Sequence, residues 1–233
     1  MIIGILEADY VDSEPEKIYG SYADMFIKLL SKEDKKIAFK VYSVIDNKFP
    51  ENVDECDVYL ITGSRFSAYD NEIWIIELKN FIRSLFKKHK KLLGICFGHQ
   101  VIAEALGGKV EKSAKGWGVG LMSADIESFK DWMLPKTERY DLLLTHQDQV
   151  VKLPEGAELI SRNDFCPISS YIIGNDVLTF QGHPEFSPGY LMYLMNKRKN
   201  IIGENKYKLA KQSMEKSVDN ENIAKWMLEF MSQ

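Results

Sequence analysis

The first half of the chain alternates short apolar runs with segments whose apolar residues recur every three or four positions. Residues 2–6, 39–43 and 58–62 are apolar runs of strand length, as expected for strands buried within a parallel sheet. The segment between the first two runs has a helical apolar face formed by Tyr22, Met25, Phe26, Leu29 and Leu30. This alternation predicts an α/β fold, with a doubly wound, mostly parallel sheet and helices on both of its faces.

Another apolar stripe predicts a helix after the third strand. Its buried face is expected to carry Ile75, Leu78, Ile82 and Leu85. Asp70 and Asn71 precede this stripe and are predicted to cap the helix.

Beyond residue 108 the chain becomes a series of short strand-like runs joined by turns. The runs are residues 109–112, 116–122, 142–145, 159–161, 170–173 and 177–180. They predict that antiparallel strands extend the sheet. Helices are predicted for residues 190–195 and 205–217, and for an apolar C-terminal segment capped by Asp219 or Asn220. The length of 233 residues and the 45% hydrophobic content fit one domain spanning residues 1–233.

Residues 91–108 combine an apolar run, a sharp turn and a helical pattern, which together predict a strand, an elbow and a helix. Gly94 and Gly98 flank Cys96 at the turn, where the missing Cβ atoms allow backbones to pass closely. Cys96 would lie at the helix N-terminus, where the helix dipole favours negative charge on its sulfur. The N–H of Phe97 is predicted to donate to a developing oxyanion. The pattern indicates a nucleophile, although the same short motif also surrounds cysteines that are simply buried.

A second candidate motif follows the predicted strand at residues 177–181. His183 lies just beyond the strand end, and Glu185 follows at a spacing that suits a carboxylate holding an imidazole in one orientation. Cys96, His183 and Glu185 therefore form a candidate catalytic triad in which His183 is the base.

Two blocks, Gly94-Ile-Cys-Phe-Gly-His-Gln100 and Gln181-Gly-His-Pro-Glu185, resemble the signature blocks of the class I, triad-type glutamine amidotransferases, in the same chain order. Within that family the chain is most similar to stand-alone proteins that resemble the glutaminase domain of GMP synthetase. Their further marks stand here at residues 61–64, 116–120 and 146–149. The resemblance implies the flavodoxin-like fold of class I glutamine amidotransferases.

The resemblance also implies roles for single residues. In the family, the loop after the third strand supplies a second oxyanion N–H, often from a Gly-Gly-Pro stretch. This chain has Thr62, Gly63 and Ser64 there, so both Gly63 and Ser64 are candidates for the donor. Gln100 matches a family position that contacts the bound glutamyl group.

The predicted reaction is cleavage of the γ-amide of glutamine or of a γ-glutamyl compound through a thioester on Cys96, without a cofactor. Three interpretations remain open. The chain could be a glutaminase subunit that serves a separate synthetase, or a self-sufficient γ-glutamyl hydrolase or peptidase. It could also be a non-catalytic binding or regulatory protein of the same fold, although the intact triad argues against this. A synthetase domain is not expected within the chain, because it has no Gly-x-x-x-x-Gly-Lys-Ser/Thr motif.

Composition narrows the class of partner and the location. The formal net charge of −4 provides no basic field for nucleic acid. No apolar run approaches the ~20 residues of a membrane span, and no signal peptide is recognisable, so the expected location is the cytoplasm. Cys56 and Cys166 have no paired spacing and are expected to be inert. The sequence leaves the oligomeric state open.

No metal site is predicted. A zinc site built from Cys96, His146, His183 and Glu185 is conceivable from the ligand types, but it lacks any characteristic spacing.

Five other features have plainer interpretations. His146 is expected to hold a loop by hydrogen bonds, with a place in the site as the alternative. His89 lies in a basic run and is predicted to be a surface residue. Arg65 could clamp a substrate carboxylate, but an exposed arginine is the commoner case. Residues 116–120 do not open a helix and therefore do not fit a dinucleotide loop, and residues 197–199 are expected on an exposed helix.

Overall fold

The computed structural model describes residues 1–34 and 36–233, and within them the largest element is a nine-stranded mixed sheet. The strands are β1 Ile2–Glu7, β2 Ala38–Ser43, β3 Val58–Ile61, β4 Lys91–Ile95, β5 Lys109–Lys112, β6 Gly118–Ile126, β7 Arg139–His146, β8 Asp148–Lys152, β9 Ala157–Arg162, β10 Ser170–Ile173 and β11 Val177–Phe180. The large sheet runs in the order β2-β1-β3-β4-β11-β10-β9-β6-β7, whereas β5 and β8 pair separately.

Helices cover both faces of the sheet and its antiparallel end. They are α1 Ser13–Tyr19, α2 Tyr22–Glu33, α3 Ile73–Lys87, α4 Phe97–Ala105, α5 Pro188–Lys197, α6 Lys199–Ile202, α7 Glu204–Ser213 and α8 Asn220–Ser232. Among the residues that the structure describes, no helix is both long enough and apolar enough to cross a membrane.

The parallel half of the sheet is buried on both sides. Strands β2, β1, β3, β4 and β11 all run in the same direction. Because successive side chains of a strand point to opposite faces, Ile3 and Ile5 pack with α2 and α8, whereas Leu6 packs with α3 and α4. This two-sided burial explains the continuous apolar runs and confirms the predicted doubly wound fold.

The second half of the chain extends the sheet with antiparallel strands, as predicted. Strands β10, β9, β6 and β7 continue outward from β11. The prediction was wrong for residues 109–112, which leave the sheet and pair with β8. Strand β8 itself was missed because its sequence is largely polar. Its apolar residue Val150 pairs with Val110, and both are buried against the core beside α4.

One predicted helix cap was wrong, and the other lacks a side-chain hydrogen bond. Helix α3 begins after Glu72, whose side chain makes no capping hydrogen bond, while Asp70 accepts a hydrogen bond from the N–H of Ser67 at 2.9 Å. Asp219 is the N-cap residue of α8, as predicted, but its carboxylate accepts from the N–H of Asp141 at 2.8 Å and makes no capping hydrogen bond. In both cases the carboxylate that the local sequence assigned to the helix end accepts a hydrogen bond from a turn or from a distant strand instead.

The helix predicted for residues 205–217 is shorter and less exposed than expected. Helix α7 ends at Ser213, whose hydroxyl accepts a hydrogen bond from the N–H of Leu121 at 2.8 Å. Ala210 packs directly on Gly120 of β6, where a Cβ would lie 2.8 Å from the Ala210 Cα. Close backbone approach therefore attaches α7 to the sheet.

The carboxyl ends of four parallel strands meet at one edge of the sheet. There β1 ends at Glu7, β3 at Ile61, β4 at Ile95 and β11 at Phe180. Strands β4 and β11 are direct neighbours, with Ile95 opposite Phe180, so the residues that follow these two strands leave the sheet side by side. Candidate sites of doubly wound sheets lie at this edge.

Candidate active site

Cys96 forms the turn between β4 and α4. Its φ of 53° and ψ of −100° lie in a region that residues other than glycine rarely adopt. The N–H of Cys96 donates to the carbonyl oxygen of Phe180 at 2.8 Å, and its own carbonyl accepts from the N–H of Gln100 at 3.1 Å. Such a conformation costs about 1–3 kcal/mol and persists only where the surroundings hold it. The elbow predicted from the sequence is present, with the cysteine at the N-terminus of α4.

The glycines on either side of Cys96 permit close backbone contacts. A Cβ on Gly98 would lie 2.4 Å from the carbonyl oxygen of Ile61, and one on Gly94 would lie 2.7 Å from the backbone of Gly98. Any side chain at these positions would separate α4 from β3 and β4. The glycine spacing is therefore a packing requirement of the elbow.

His183 is held on three sides. Its Nδ1 lies 2.8 Å from Oε1 of Glu185, its backbone N–H donates to the carbonyl of Leu143 at 2.9 Å, and its ring stacks on Phe186 with centroids 3.9 Å apart. Because a carboxylate accepts hydrogen bonds, Nδ1 carries a proton. The other ring nitrogen, Nε2, is buried and has no hydrogen-bond partner among the described residues.

The charge state of His183 follows from its neighbours. Burial disfavours the charged imidazole, but the Glu185 carboxylate and the Cys96 sulfur outweigh burial and raise the pKa of His183 to about 10. The protonated ring is therefore the stable form at neutral pH. This arrangement suits a histidine that holds the proton of a neighbouring thiol before the sulfur attacks.

Gly63 brings the cysteine and the histidine together. A Cβ on Gly63 would lie 2.9 Å from Cε1 of His183 and 3.8 Å from Cβ of Cys96. Both side chains thus border the space that Gly63 leaves empty. The structure places the candidate nucleophile and the candidate base beside each other at the predicted edge of the sheet.

The loop that contains Gly63 is fixed by a threonine. The hydroxyl of Thr62 accepts a hydrogen bond from the N–H of Ala8 at 3.0 Å and donates to the carbonyl oxygen of Gly63 at 3.1 Å. Ser64 follows, and its hydroxyl accepts from the N–H of Phe66 at 3.2 Å. The loop lies beside Cys96, and the choice of Gly63 or Ser64 as an oxyanion donor stays a prediction.

A cavity of about 230 Å³ opens beside Cys96. Its wall includes Gln100, whose Nε2 donates to the carbonyl of Asp148 at 2.7 Å and to Oε1 of Gln181 at 3.0 Å. Protein groups therefore occupy the amide nitrogen of Gln100, which leaves its carbonyl oxygen for a ligand. The predicted contact with substrate stays a prediction.

Arg65 lines the same cavity but is not a free cation. Its backbone N–H and Nε donate to the buried carboxylate of Asp9 at 2.8 and 2.9 Å, and one terminal nitrogen donates to the carbonyl of Tyr10 at 2.9 Å. Half of the side chain is exposed. The ion pair ties the loop after β3 to the loop after β1, a structural role that the sequence did not indicate.

His146 serves both of the roles considered for it. Its Nδ1 lies 2.9 Å from the carbonyl oxygen of Asp148, so it holds the turn between β7 and β8, and its ring also lines the cavity. Burial lowers the pKa of His146 to about 4, and burial likewise lowers the pKa of nearby His99 to about 3. Both imidazoles are neutral at pH 7.

The other candidate groups lie apart from the site. His89 is exposed as predicted, with Nδ1 2.8 Å from Asp176. Cys56 and Cys166 are buried free thiols, and burial raises the pKa of Cys166 to about 12. In residues 1–34 and 36–233, no three Asp, Glu, His or Cys side chains are grouped as metal ligands.

A larger cavity of about 450 Å³ lies between α2, α5 and α8, and Pro184 and Glu185 contribute to its wall. Cys96 does not line it. The smaller of these two cavities is the candidate active site, because Cys96 lines it and does not line the larger one.

A family model described as glutamine amidotransferase class-I matches residues 18–199. The chain belongs to the class I glutamine amidotransferase family. The residues matched include the elbow and the histidine block, so the resemblance carried by these two blocks is confirmed at the level of the family.

Two relatives in this glutamine amidotransferase family illustrate how differently its members are named. Gamma-glutamyl peptidase 4 of Arabidopsis thaliana is 34% identical over 218 residues, which cover 88% of this chain and 85% of that protein. The GMP synthase (glutamine-hydrolyzing) of Bacteroides fragilis is 33% identical over 144 residues, which cover 60% of this chain but only 27% of that protein.

A solved structure supports the family fold independently. The glutamine amidotransferase from Thermotoga maritima superposes with a TM-score of 0.73 at 19% identity, covering 99% of this chain and 96% of that chain. At this identity the likeness concerns the fold alone. It confirms the predicted flavodoxin-like α/β architecture of the family.

The sequence did not predict one residue of the cavity wall, Arg198. It stands in a basic run that suggested an exposed helix, yet it is half-buried and donates to the hydroxyl of Thr145 at 2.9 Å. Its guanidinium also lies over the ring of Trp117, 5.5 Å from the centroid. No motif marks such a residue, because its position depends on how α5 packs on β7.

Proposed function

We propose that this chain hydrolyses the γ-amide bond of γ-glutamyl compounds, glutamine included, through a thioester on Cys96. The observation that carries the proposal is the position of Cys96 on a strained elbow beside His183, whose Nδ1 is held by Glu185. A carboxylate partner is a means by which proteins orient a catalytic histidine and favour its charged form.

The first half-reaction is acylation of the sulfur. Nε2 of His183 already holds the proton of the Cys96 thiol, and the sulfur of Cys96 attacks the γ-carbonyl carbon, so that a C–S bond forms and the carbonyl π pair moves to oxygen. The N–H of Phe97 and an N–H from Gly63 or Ser64 stabilise this oxyanion by ~3 kcal/mol per donor. When the carbonyl re-forms, the C–N bond breaks, and the departing nitrogen takes the proton from His183.

The second half-reaction releases the glutamyl group. His183, now neutral, accepts a proton from water as the water oxygen attacks the thioester carbon. The C–S bond then breaks, and the sulfur of Cys96 leaves with the electron pair, paired again with the charged imidazole. Glutamate is the product, and Glu185 keeps the ring oriented through both steps.

The extent of similarity favours a self-sufficient hydrolase over a subunit of a synthetase. The match to a protein named a gamma-glutamyl peptidase covers most of both chains, whereas the match to a GMP synthase covers about a quarter of that protein. A glutaminase that serves a separate synthetase is the second candidate, and it rests on that partial match.

The experiment compares purified wild type with Cys96→Ala and, as a matched control, Cys166→Ala, which removes another buried thiol. Each protein is incubated alone with glutamine and with γ-glutamyl dipeptides, and ammonia, free amino acid and glutamate are measured. Wild type and Cys166→Ala should turn over, while Cys96→Ala should lose at least ~10³-fold, as expected when a nucleophile is removed. Appreciable turnover by Cys96→Ala would refute the nucleophile, and turnover only after adding a partner protein would favour the second candidate.

A further inference from the structure

Arg198 lies at the boundary between two cavities. One is the cavity of about 230 Å³ beside Cys96, and the other is an adjacent cavity of about 190 Å³. Arg65 and Arg198 are the two charged residues that line both. Arg65 is neutralised by Asp9.

Arg198 is held in place without being neutralised. Its Nη1 donates to the neutral hydroxyl of Thr145, and its guanidinium lies over Trp117. The flanking lysines differ, since Lys197 pairs with an aspartate at 2.5 Å and Lys199 with a glutamate at 3.0 Å. Across the part of the chain that the structure describes, no carboxylate forms an ion pair with Arg198. A half-buried guanidinium fixed in this way is suited to a planar anion, which it can bind through two parallel hydrogen bonds.

The second cavity lies on the histidine side of the site. Tyr22 and Tyr190 form part of its wall, and both pack against Phe186, with ring centroids 6.2 and 4.8 Å away. Phe186 in turn stacks on His183. In the proposed reaction the amine half of a substrate leaves from the cavity beside Cys96, and the second cavity adjoins that one at Arg65 and Arg198.

We propose that Arg198 binds a carboxylate on the amine half of the substrate, with that half extending into the second cavity. The chain therefore prefers γ-glutamyl peptides that end in a free carboxylate over glutamine, whose amine half is only ammonia. This inference rests on the proposed function and names the substrate class of the same site. The two aspartates of the second cavity, Asp9 and Asp12, are each paired with a cation and so repel the incoming carboxylate little.

The test uses three substrates that differ in the amine half: γ-glutamyl-alanine, γ-glutamyl-alaninamide and glutamine. Arg198→Gln should lower kcat/KM for γ-glutamyl-alanine by ~10–100-fold, mainly through KM, because a hydrogen-bonded charge is lost. The amide and glutamine should change by less than ~3-fold. Arg198→Lys should recover part of the loss, since it keeps the charge without the planar fork. Lys199→Gln is the matched control, because it removes an exposed neighbouring cation outside both cavities, and it should behave as wild type.

Two results would overturn the inference. An equal loss for all three substrates would place Arg198 on the glutamyl half or in the fold, and an unchanged kcat/KM for γ-glutamyl-alanine would remove it from recognition altogether.

Binding separates this inference from the proposed chemistry. Calorimetric titration of Cys96→Ala should show that γ-glutamyl-alanine binds ~10–100-fold more tightly than its amide. The double variant Cys96→Ala/Arg198→Gln should bind the two compounds with equal affinity. If wild type cleaves nothing and this preference is present, the proposed function fails and the inference stands. If wild type cleaves all three substrates and no preference for the carboxylate is found, the inference alone fails.

Discussion

Gly98→Ala tests whether the active-site elbow depends on backbone contact between α4 and β3. Gly98 is in α4, where replacing glycine by alanine in a helix ordinarily stabilises a protein by up to about 1 kcal/mol. Here the new methyl group would lie 2.4 Å from the carbonyl oxygen of Ile61, and Cβ atoms in proteins essentially never approach another atom closer than 3.0 Å. The neighbour is backbone at the end of a central strand, so it cannot rotate away. Helix propensity therefore predicts that Gly98→Ala raises the free energy of unfolding, whereas packing predicts that it lowers it.

The packing effect should be the larger. Overpacking a well-filled interior costs about 1–3 kcal/mol, and a contact with fixed backbone belongs at the upper end of that range. After the helix-propensity gain is subtracted, the free energy of unfolding should fall by about 2 kcal/mol, which for a chain of this size lowers Tm by about 4–8 °C. Because Ile61 leads directly into the Gly63 loop, kcat should fall as well, by ~10-fold or more, since small displacements at a reacting centre are costly.

The matched control is Gly189→Ala in α5. Its Cβ would meet only the hydroxyl end of Tyr19, at 2.8 Å, which a side-chain rotation can relieve. We expect the free energy of unfolding of this variant to lie within about 1 kcal/mol of that of wild type. Differential scanning calorimetry and steady-state hydrolysis of a γ-glutamyl peptide measure both variants. A Tm for Gly98→Ala equal to or above that of wild type would show that the elbow does not require the contact.

Three further predictions concern the triad and the thiols. Glu185→Gln removes the carboxylate that orients His183, and kcat should fall by ~10²–10⁴-fold, as for the acid of other triads; steady-state hydrolysis with an unchanged kcat would exclude that role. Because the pKa of His183 is raised to about 10, above its ordinary 6.5, its contribution to stability is complete below pH 6.5 and is lost as pH rises towards 10. Urea unfolding should show the loss in wild type and a flatter dependence in Glu185→Gln, and equal slopes in the two proteins would contradict this origin. Iodoacetamide at about pH 7 should label Cys96 before Cys166, whose pKa is about 12, and peptide mass mapping that found the reverse order would refute the assignment.

Several features of this protein follow from local sequence. The apolar runs and helical stripes predict the parallel strands and the helices around them, because burial on two faces leaves a direct pattern in the residues. The elbow follows from Gly94 and Gly98 around Cys96, since only glycine permits such close contacts. The two signature blocks were sufficient to indicate the family. Strand β8 was missed because it is largely polar. It is held by pairing with its partner strand, so it leaves no apolar pattern in the sequence.

Other features depend on the packing of distant segments. His183 lies beside Cys96 because β11 pairs with β4 in register, and no local pattern encodes which strands become neighbours. Asp9 and Arg65 form an ion pair across two loops, and Arg198 enters the cavity wall because α5 packs on β7. The sequence by itself determined which residues have the chemistry of a nucleophile, a base and an acid. Only the tertiary structure decided their distances, the burial that sets the pKa of His183, and the cation available to a substrate, because each of these depends on contacts between residues far apart in the chain.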